Sequence, residues 1–193
     1  MSDRRTQGED HLVGRHLVIG LSGGIACYKI ATLVSSLVQH GAVVDVLMTE
    51  AATRFIAPLT FESLTGRQVF DSQWKQGESC DPRHIQIATK AEAILIAPCT
   101  MNMLAKLSHG MTDDPVSLVV SAVDLAATPV LLAPSMNTTM YAQQATQRNL
   151  TTLSKDGYTI IDPEEGWQAC RSTGQGRLPT TELLLESLVS CFS

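Results

Sequence analysis

Aromatic residues make up only 5% of this 193-residue chain, and no apolar run approaches the length that crosses a bilayer. Charged residues are also sparse, at 17%. The formal net charge is −5, and the Lys and Arg residues are scattered instead of forming a stripe. That pattern argues against nucleic-acid binding as the main activity. The opening stretch MSDRRTQGEDHLVGR lacks the apolar centre of a signal peptide, so the cytoplasm is the expected compartment. The five cysteines, at 27, 80, 99, 170 and 191, contain no CxxC pair and no Cys/His set at zinc-finger spacing. A disulfide framework and a structural zinc are both disfavoured, and most of the thiols are expected to be small buried hydrophobes. Neither GxxxxGK[ST] nor GxGxxG occurs.

What is present is a hydrophobic content of 44% in a length that suits one domain. The expected division is a flexible segment over 1–15 and a single domain over 16–193. Short apolar runs alternate with helical patterns, which predicts an α/β fold with a mostly parallel sheet flanked by helices. Strands are expected at 16–21, 42–48, 93–97, 129–133 and 158–161. Helices are expected at 25–39, 50–57, 58–65, 85–90, 101–108, 115–123, 138–153 and 181–189. Asp114-Pro115 has the pattern of an N-cap with proline in the first turn. The interval 68–83 is polar, carries Trp74, and is expected to be a surface excursion.

Open parallel sheets bind ligands beyond the carboxyl ends of their strands. The segments to search are therefore Ser22-Gly23-Gly24-Ile25, Thr49-Glu50, Pro98-Cys99-Thr100-Met101-Asn102 and Pro134-Ser135-Met136-Asn137. A Gly pair directly after a strand lets backbone N–H groups approach an anion, and the helix that follows adds favourable partial charge. A monophosphate suits the turn better than a diphosphate. A strand-to-helix connection without a ligand would look the same.

Four stretches together carry more. They are Ser22-Gly23-Gly24-Ile25-Ala26 with Lys29, the His84-Ile85 step, Pro134-Ser135-Met136-Asn137 with Met140-Tyr141, and Gln168-Ala169-Cys170 leading into Gly174-Gln175-Gly176-Arg177. In this order they resemble the homo-oligomeric flavin-containing cysteine decarboxylases, most closely the phosphopantothenoylcysteine branch. The resemblance runs from about residue 16 to the end of the chain. It implies a three-layer Rossmann/flavodoxin-like fold, FMN as cofactor, no metal, a small-molecule substrate, and a homotrimer or dodecamer. The reaction implied is decarboxylation of 4′-phosphopantothenoylcysteine to 4′-phosphopantetheine in coenzyme A biosynthesis. The substrate thiol is oxidised, carbon dioxide leaves, and the ene-thiol is reduced again.

The resemblance gives roles to particular residues. His84 and Cys170 would be catalytic, the first in the oxidation and the second as proton donor on a flap. Asn137 would bind the substrate carboxylate. Ser22, Gly23, Gly24, Ile25, Thr49, Pro98, Cys99, Thr100, Met101 and Ser135 would hold the cofactor, with Phe55 either on the flavin ring or in the core. The residues themselves also allow plainer readings: a structural histidine, an Asn N-cap, and a cysteine on a polar, glycine-rich loop expected to be mobile. Arginines beside Cys170 could lower its pKa.

Cys170 favours the coenzyme A branch over peptidyl-cysteine decarboxylases of the lantibiotic type, which release the oxidised ene-thiol. Flavin prenyltransferases share a turn like Pro98-Cys99-Thr100-Met101 but lack Pro-x-Met-Asn. Relatives that regulate phosphatases can lack parts of the set formed here by His84, Asn137 and Cys170. Two places depart from the family pattern. Asp113-Asp114-Pro115 stands where an Asp-Asn or Asn-Asp pair followed by Leu is usual, and Arg171-Ser172 replaces the Gly-Asp that commonly follows the flap cysteine. No synthetase domain follows in this sequence, so a free-standing enzyme or an excised half is expected.

Overall fold

The computed structural model of the chain describes residues 9–74 and 82–192. Five strands, β1 (His16–Leu21), β2 (Val43–Met48), β3 (Ala93–Cys99), β4 (Val130–Pro134) and β5 (Thr159–Ile160), form one sheet in the order β2-β1-β3-β4-β5. Every pairing in it is parallel. The expected strands all form, to within two residues at each end. Their near-continuous apolar runs match a sheet covered on both faces.

On one face pack α1 (Cys27–Gln39), α3 (Pro58–Thr65) and α9 (Thr181–Val189), through Ile30, Leu33, Leu37, Phe61, Leu184 and Leu188. On the other lie α4 (Arg83–Lys90), α5 (Met101–Ser108), α6 (Pro115–Ser121) and α8 (Gln144–Lys155), through Ile87, Met103, Leu104, Val116, Leu150 and Leu153. Each fully buried Leu, Ile or Phe contributes about 1.5–3 kcal/mol, so the two clusters hold the layers together. This is the expected three-layer α/β arrangement.

Several details differ from the sequence reading, each for a local reason. The helix expected at 50–57 ends early as α2 (Glu50–Thr53), because Pro58 starts α3 and holds Ala57 extended at φ −71°, ψ 141°. The long helix expected at 138–153 is two, α7 (Thr138–Ala142) and α8, broken where Gln143 takes ψ 137°. Thr146 Oγ1 and Gln147 Nε2 donate to the freed carbonyls of Met140 and Tyr141, both at 2.7 Å. The boundary at residue 15 also shifts. Glu9–Leu12 forms a 3₁₀ turn whose Leu12 is fully buried in the core, while residues 1–8 lie outside the described residues.

The interval 68–83 is a surface excursion only in part. Phe70 N donates to Val46 O (2.9 Å) and Met48 N to Phe70 O (3.0 Å), so Val69 and Phe70 are buried along the edge of β2. Residues 75–81, Cys80 among them, lie outside the described residues. The largest difference is at 171–177, expected as a mobile loop, which pairs with 164–167. The two form an antiparallel hairpin of β6 (Glu164–Trp167) and β7 (Thr173–Arg177). Among the described residues no helix is long and apolar enough to cross a membrane.

Candidate active site

The chain order reverses between β1 and β3, which are neighbours in the sheet but not in sequence. A crevice is expected there, beyond the strands' carboxyl ends. The structure has a cavity of about 1030 Å³ at this edge, lined by the segments after β1, β2, β3 and β4 and by the hairpin. Ser22 spans the switch point. Its hydroxyl donates to Pro98 O (2.7 Å) and accepts from Thr100 N (2.9 Å), so it ties β1 to β3 and its one hydrogen is already committed.

The anion-seeking groups are the four backbone N–H groups that follow it. Those of Gly23, Gly24, Ile25 and Ala26 find no acceptor among the described residues, and they stand at the N-terminal end of the 13-residue helix α1. Gly23 is required for packing: a Cβ there would run into Ala51, at the start of α2. Thr49 and Thr100 each cap a helix beside the cavity, accepting from Ala52 N and Met103 N.

The facing wall is built from the β4–α7 turn and the hairpin. Met136 N donates to Gly176 O (2.9 Å), and Gly176 sits at φ +123° with its α-carbon against Met136 O, where a side chain would collide. The buried Gln168 completes the tie: its Oε1 accepts from Thr138 N (3.2 Å) and its Nε2 donates to Gln175 O (3.1 Å). The hairpin tip closes through Gln168 N to Ser172 O and Arg171 N to Gln168 O, both 2.9 Å. Arg171 takes φ +64°, the left-handed position of a three-residue hairpin loop that Gly ordinarily fills, at a cost of about 1–2 kcal/mol. This is where the family's usual Gly is replaced.

Asn137 is the N-cap that one of its sequence readings expects. Its Oδ1 caps α7, accepting from Thr139 N (2.8 Å), and this fixes the amide so that the nitrogen is presented to the hairpin. One N–H of Nδ2 donates to Cys170 Sγ (3.1 Å), and the second has no acceptor among the described residues. Cys170 is solvent-exposed, and its thiol is held below the ordinary value, first by the Ser172 hydroxyl and then by the Asn137 amide. Neutral donors cause this shift, not the arginines the sequence suggested.

The cavity also carries charge. Lys106 bridges Asp113 and Asp114, at 2.8 Å each; burial lowers its pKa, but the two carboxylates outweigh that and raise it overall. Asp114 also caps α6 through Val116 N and Ser117 N, as its sequence pattern predicted. The additional carboxylate of Asp113-Asp114 is therefore matched by a lysine. Lys29 and Arg177 also line the cavity and make no ion pair among the described residues. Lys29 is lowered by burial and then by the nearby Arg177 charge.

Ser22, Gly23, Gly24, Ile25, Thr49, Thr100, Met101, Ser135, Asn137 and Cys170 thus come together around one cavity. Four residues named from sequence do not line it. Cys99 is fully buried in the second core cluster, where burial pushes its thiol far up. Pro98 contributes its carbonyl to Ser22 instead of a surface to the cavity. Phe55 is half exposed and belongs to neither the cavity nor the core. His84 lies on the first turn of α4, on the flank of the sheet. That helix leads to Glu92, whose N–H meets His16 O at the opposite edge. The sequence reading missed Lys106, which no local pattern marks because its partners are seven and eight residues away.

A family model described as Flavoprotein matches residues 5–193. Among curated proteins, the chain is 42% identical over 175 residues to the coenzyme A biosynthesis bifunctional protein CoaBC of Bacillus subtilis, covering 91% of this chain and 42% of that protein. It is 38% identical over 182 residues to CoaBC of Escherichia coli, covering 94% and 44%. The chain therefore spans less than half the length of these relatives. Among solved structures, a PPC decarboxylase variant complexed with pantothenoylaminoethenethiol superposes with a TM-score of 0.81 at 24% identity, covering 91% of this chain and 96% of that one. The FMN-dependent cysteine decarboxylase SpaF superposes with a TM-score of 0.76 at 25% identity, covering 93% and 99%.

Proposed function

We propose, for a chain that belongs to the Flavoprotein family, that it is an FMN-dependent decarboxylase of 4′-phosphopantothenoylcysteine acting in coenzyme A biosynthesis. The observation that carries this reading is the meeting of Asn137 and Cys170 at 3.1 Å over a cavity whose other end offers four N–H groups without acceptors among the described residues. The relatives named for coenzyme A biosynthesis support it.

The residues present fit FMN. The N–H groups of Gly23 to Ala26 would hold its phosphate, and Thr49, Thr100, Met101 and Ser135 would line the remainder. Bound there, the flavin would supply a two-electron oxidation of the substrate thiol and the return of those electrons. The protein's own tasks are orientation and proton transfer. The unengaged N–H of Asn137 would donate to the substrate carboxylate without an ion pair, which leaves carbon dioxide free to depart. Cys170 Sγ would deliver a proton to the carbon that has lost it. His84, outside the cavity of its own chain, is assigned to the cavity of a neighbouring copy in a homotrimer or dodecamer.

Anaerobic incubation of the purified yellow protein with 4′-phosphopantothenoylcysteine should give 4′-phosphopantetheine, detected by mass. A product two hydrogens lighter would move the chain to the oxidative branch, and no turnover would end the enzyme reading. The placement of His84 is tested separately by co-assembling His84→Asn chains with Cys170→Ser chains. In a ring with one shared site per contact, roughly a quarter of the sites should regain both groups. Mixed assemblies with no recovered activity would return His84 to its own chain, or to a structural role.

A further inference from the structure

The Asn137–Cys170 contact leaves one partner of the thiol unexplained. Ser172 Oγ stands 3.0 Å from Cys170 Sγ, from the other side of the hairpin tip. The sulfur is therefore met by the Asn137 amide from the β4–α7 turn and by a hydroxyl from its own tip. Its remaining contact, to Gln168 Oε1 at 3.5 Å, can only accept, so the thiol hydrogen is directed there. Every group hydrogen-bonded to the sulfur among the described residues is neutral. Gln168 is itself fixed by Thr138 N and Gln175 O, which makes the whole arrangement a jointed seat instead of a chance contact.

We infer that Ser172 is the positioning residue for Cys170, holding the sulfur against the Asn137 amide so that thiol and substrate carboxylate share one amide group. This deepens the proposed function by naming what aims the proton donor. The chemistry of the position explains why a hydroxyl differs from the carboxylate usual in the family. A carboxylate beside a sulfur accepts from the thiol and opposes the thiolate. A hydroxyl can donate to either form, and keeps the sulfur seated both before and after it gives up its proton. The exchange balances, because the proton leaving Cys170 Sγ is replaced from solvent at this exposed tip.

The test reads Cys170 directly. The purified holoprotein is alkylated with iodoacetamide across pH, and the Cys170 peptide is followed by mass spectrometry, which excludes the other cysteines. Ser172→Ala should slow Cys170 alkylation at neutral pH by about 3- to 10-fold and move its midpoint upward, the net worth of one ordinary hydrogen bond. Ser172→Thr should restore both, and Ser172→Asp should slow alkylation further. In turnover, Ser172→Ala should raise the share of product two hydrogens lighter. An unchanged alkylation midpoint in Ser172→Ala, or failure of Ser172→Thr to restore it, overturns the inference. The alkylation profile does not depend on catalysis, so absence of turnover in the unmodified protein would count against the proposed function and leave this result standing.

Discussion

Asn137→Asp should fold normally and lose catalysis. Aspartate is as good an N-cap as asparagine, and its carboxylate still accepts from Thr139 N, so α7 and the hairpin tie remain. What disappears is every N–H of the side chain: the one on Cys170 Sγ, and the second, assigned to the substrate. In their place stands a negative charge facing the substrate carboxylate. Losing one well-placed donor in an active site costs about 10²–10³ in rate, and like-charge repulsion adds to it. The expected fall in kcat/KM is therefore at least about 10³-fold, with thermal midpoint and circular dichroism unchanged. Asn137→Ala should lose activity too, with about 1 kcal/mol of cap stability as well. Near-normal turnover by Asn137→Asp would remove Asn137 from the site.

Cys170→Ser should change the product instead of abolishing the reaction. Serine is close to cysteine in size and keeps a hydrogen-bonding atom near Asn137 and Ser172, so substrate binding and carbon dioxide release should persist. The alcohol is a far weaker acid than a thiol already drawn below its ordinary value. General acid catalysis is worth about 10²–10⁴-fold, and that factor falls on the reductive step alone. The compound two hydrogens lighter than 4′-phosphopantetheine should accumulate, seen by mass after a single turnover. Normal product at the normal rate would show that another group gives the proton.

The sheet was legible because each strand announces itself as a short apolar run, and a parallel order follows from the helices between them. The position of the cavity followed from the same order, since the ends of β1 and β3 meet only where the topology reverses. The hairpin was not legible. Glu164–Trp167 and Thr173–Arg177 hold three of the chain's glycines and no β-branched residue apart from Thr173, so neither strand carries an alternating pattern. Their conformation comes from the tertiary fit of Gly176 against Met136 and of Gln168 between two segments. His84 is placed by the same topology: a helix leading into a parallel strand starts toward the ligand edge and ends at the other, so the first turn of α4 holds His84 on the flank of the sheet, outside the cavity of its own chain. Ser22 was found in the right place, but sequence shows a hydroxyl and not that Pro98 and Thr100 already engage it.

The hairpin joins the domain by two kinds of attachment that have different consequences over evolutionary time. Its strands are held by main chain and by close glycine packing, which tolerate little change. Its tip, residues 169–172, meets the domain through the Cys170 side chain, and even the strained Arg171 is accommodated there. Substitutions can collect at the tip without unseating the strands or altering the wall they form. On the proposed chemistry, the segment that chooses which compound departs can diversify faster than the segment that chooses which bond breaks. One scaffold could then give rise to lineages that differ in what they release while still attacking the same group.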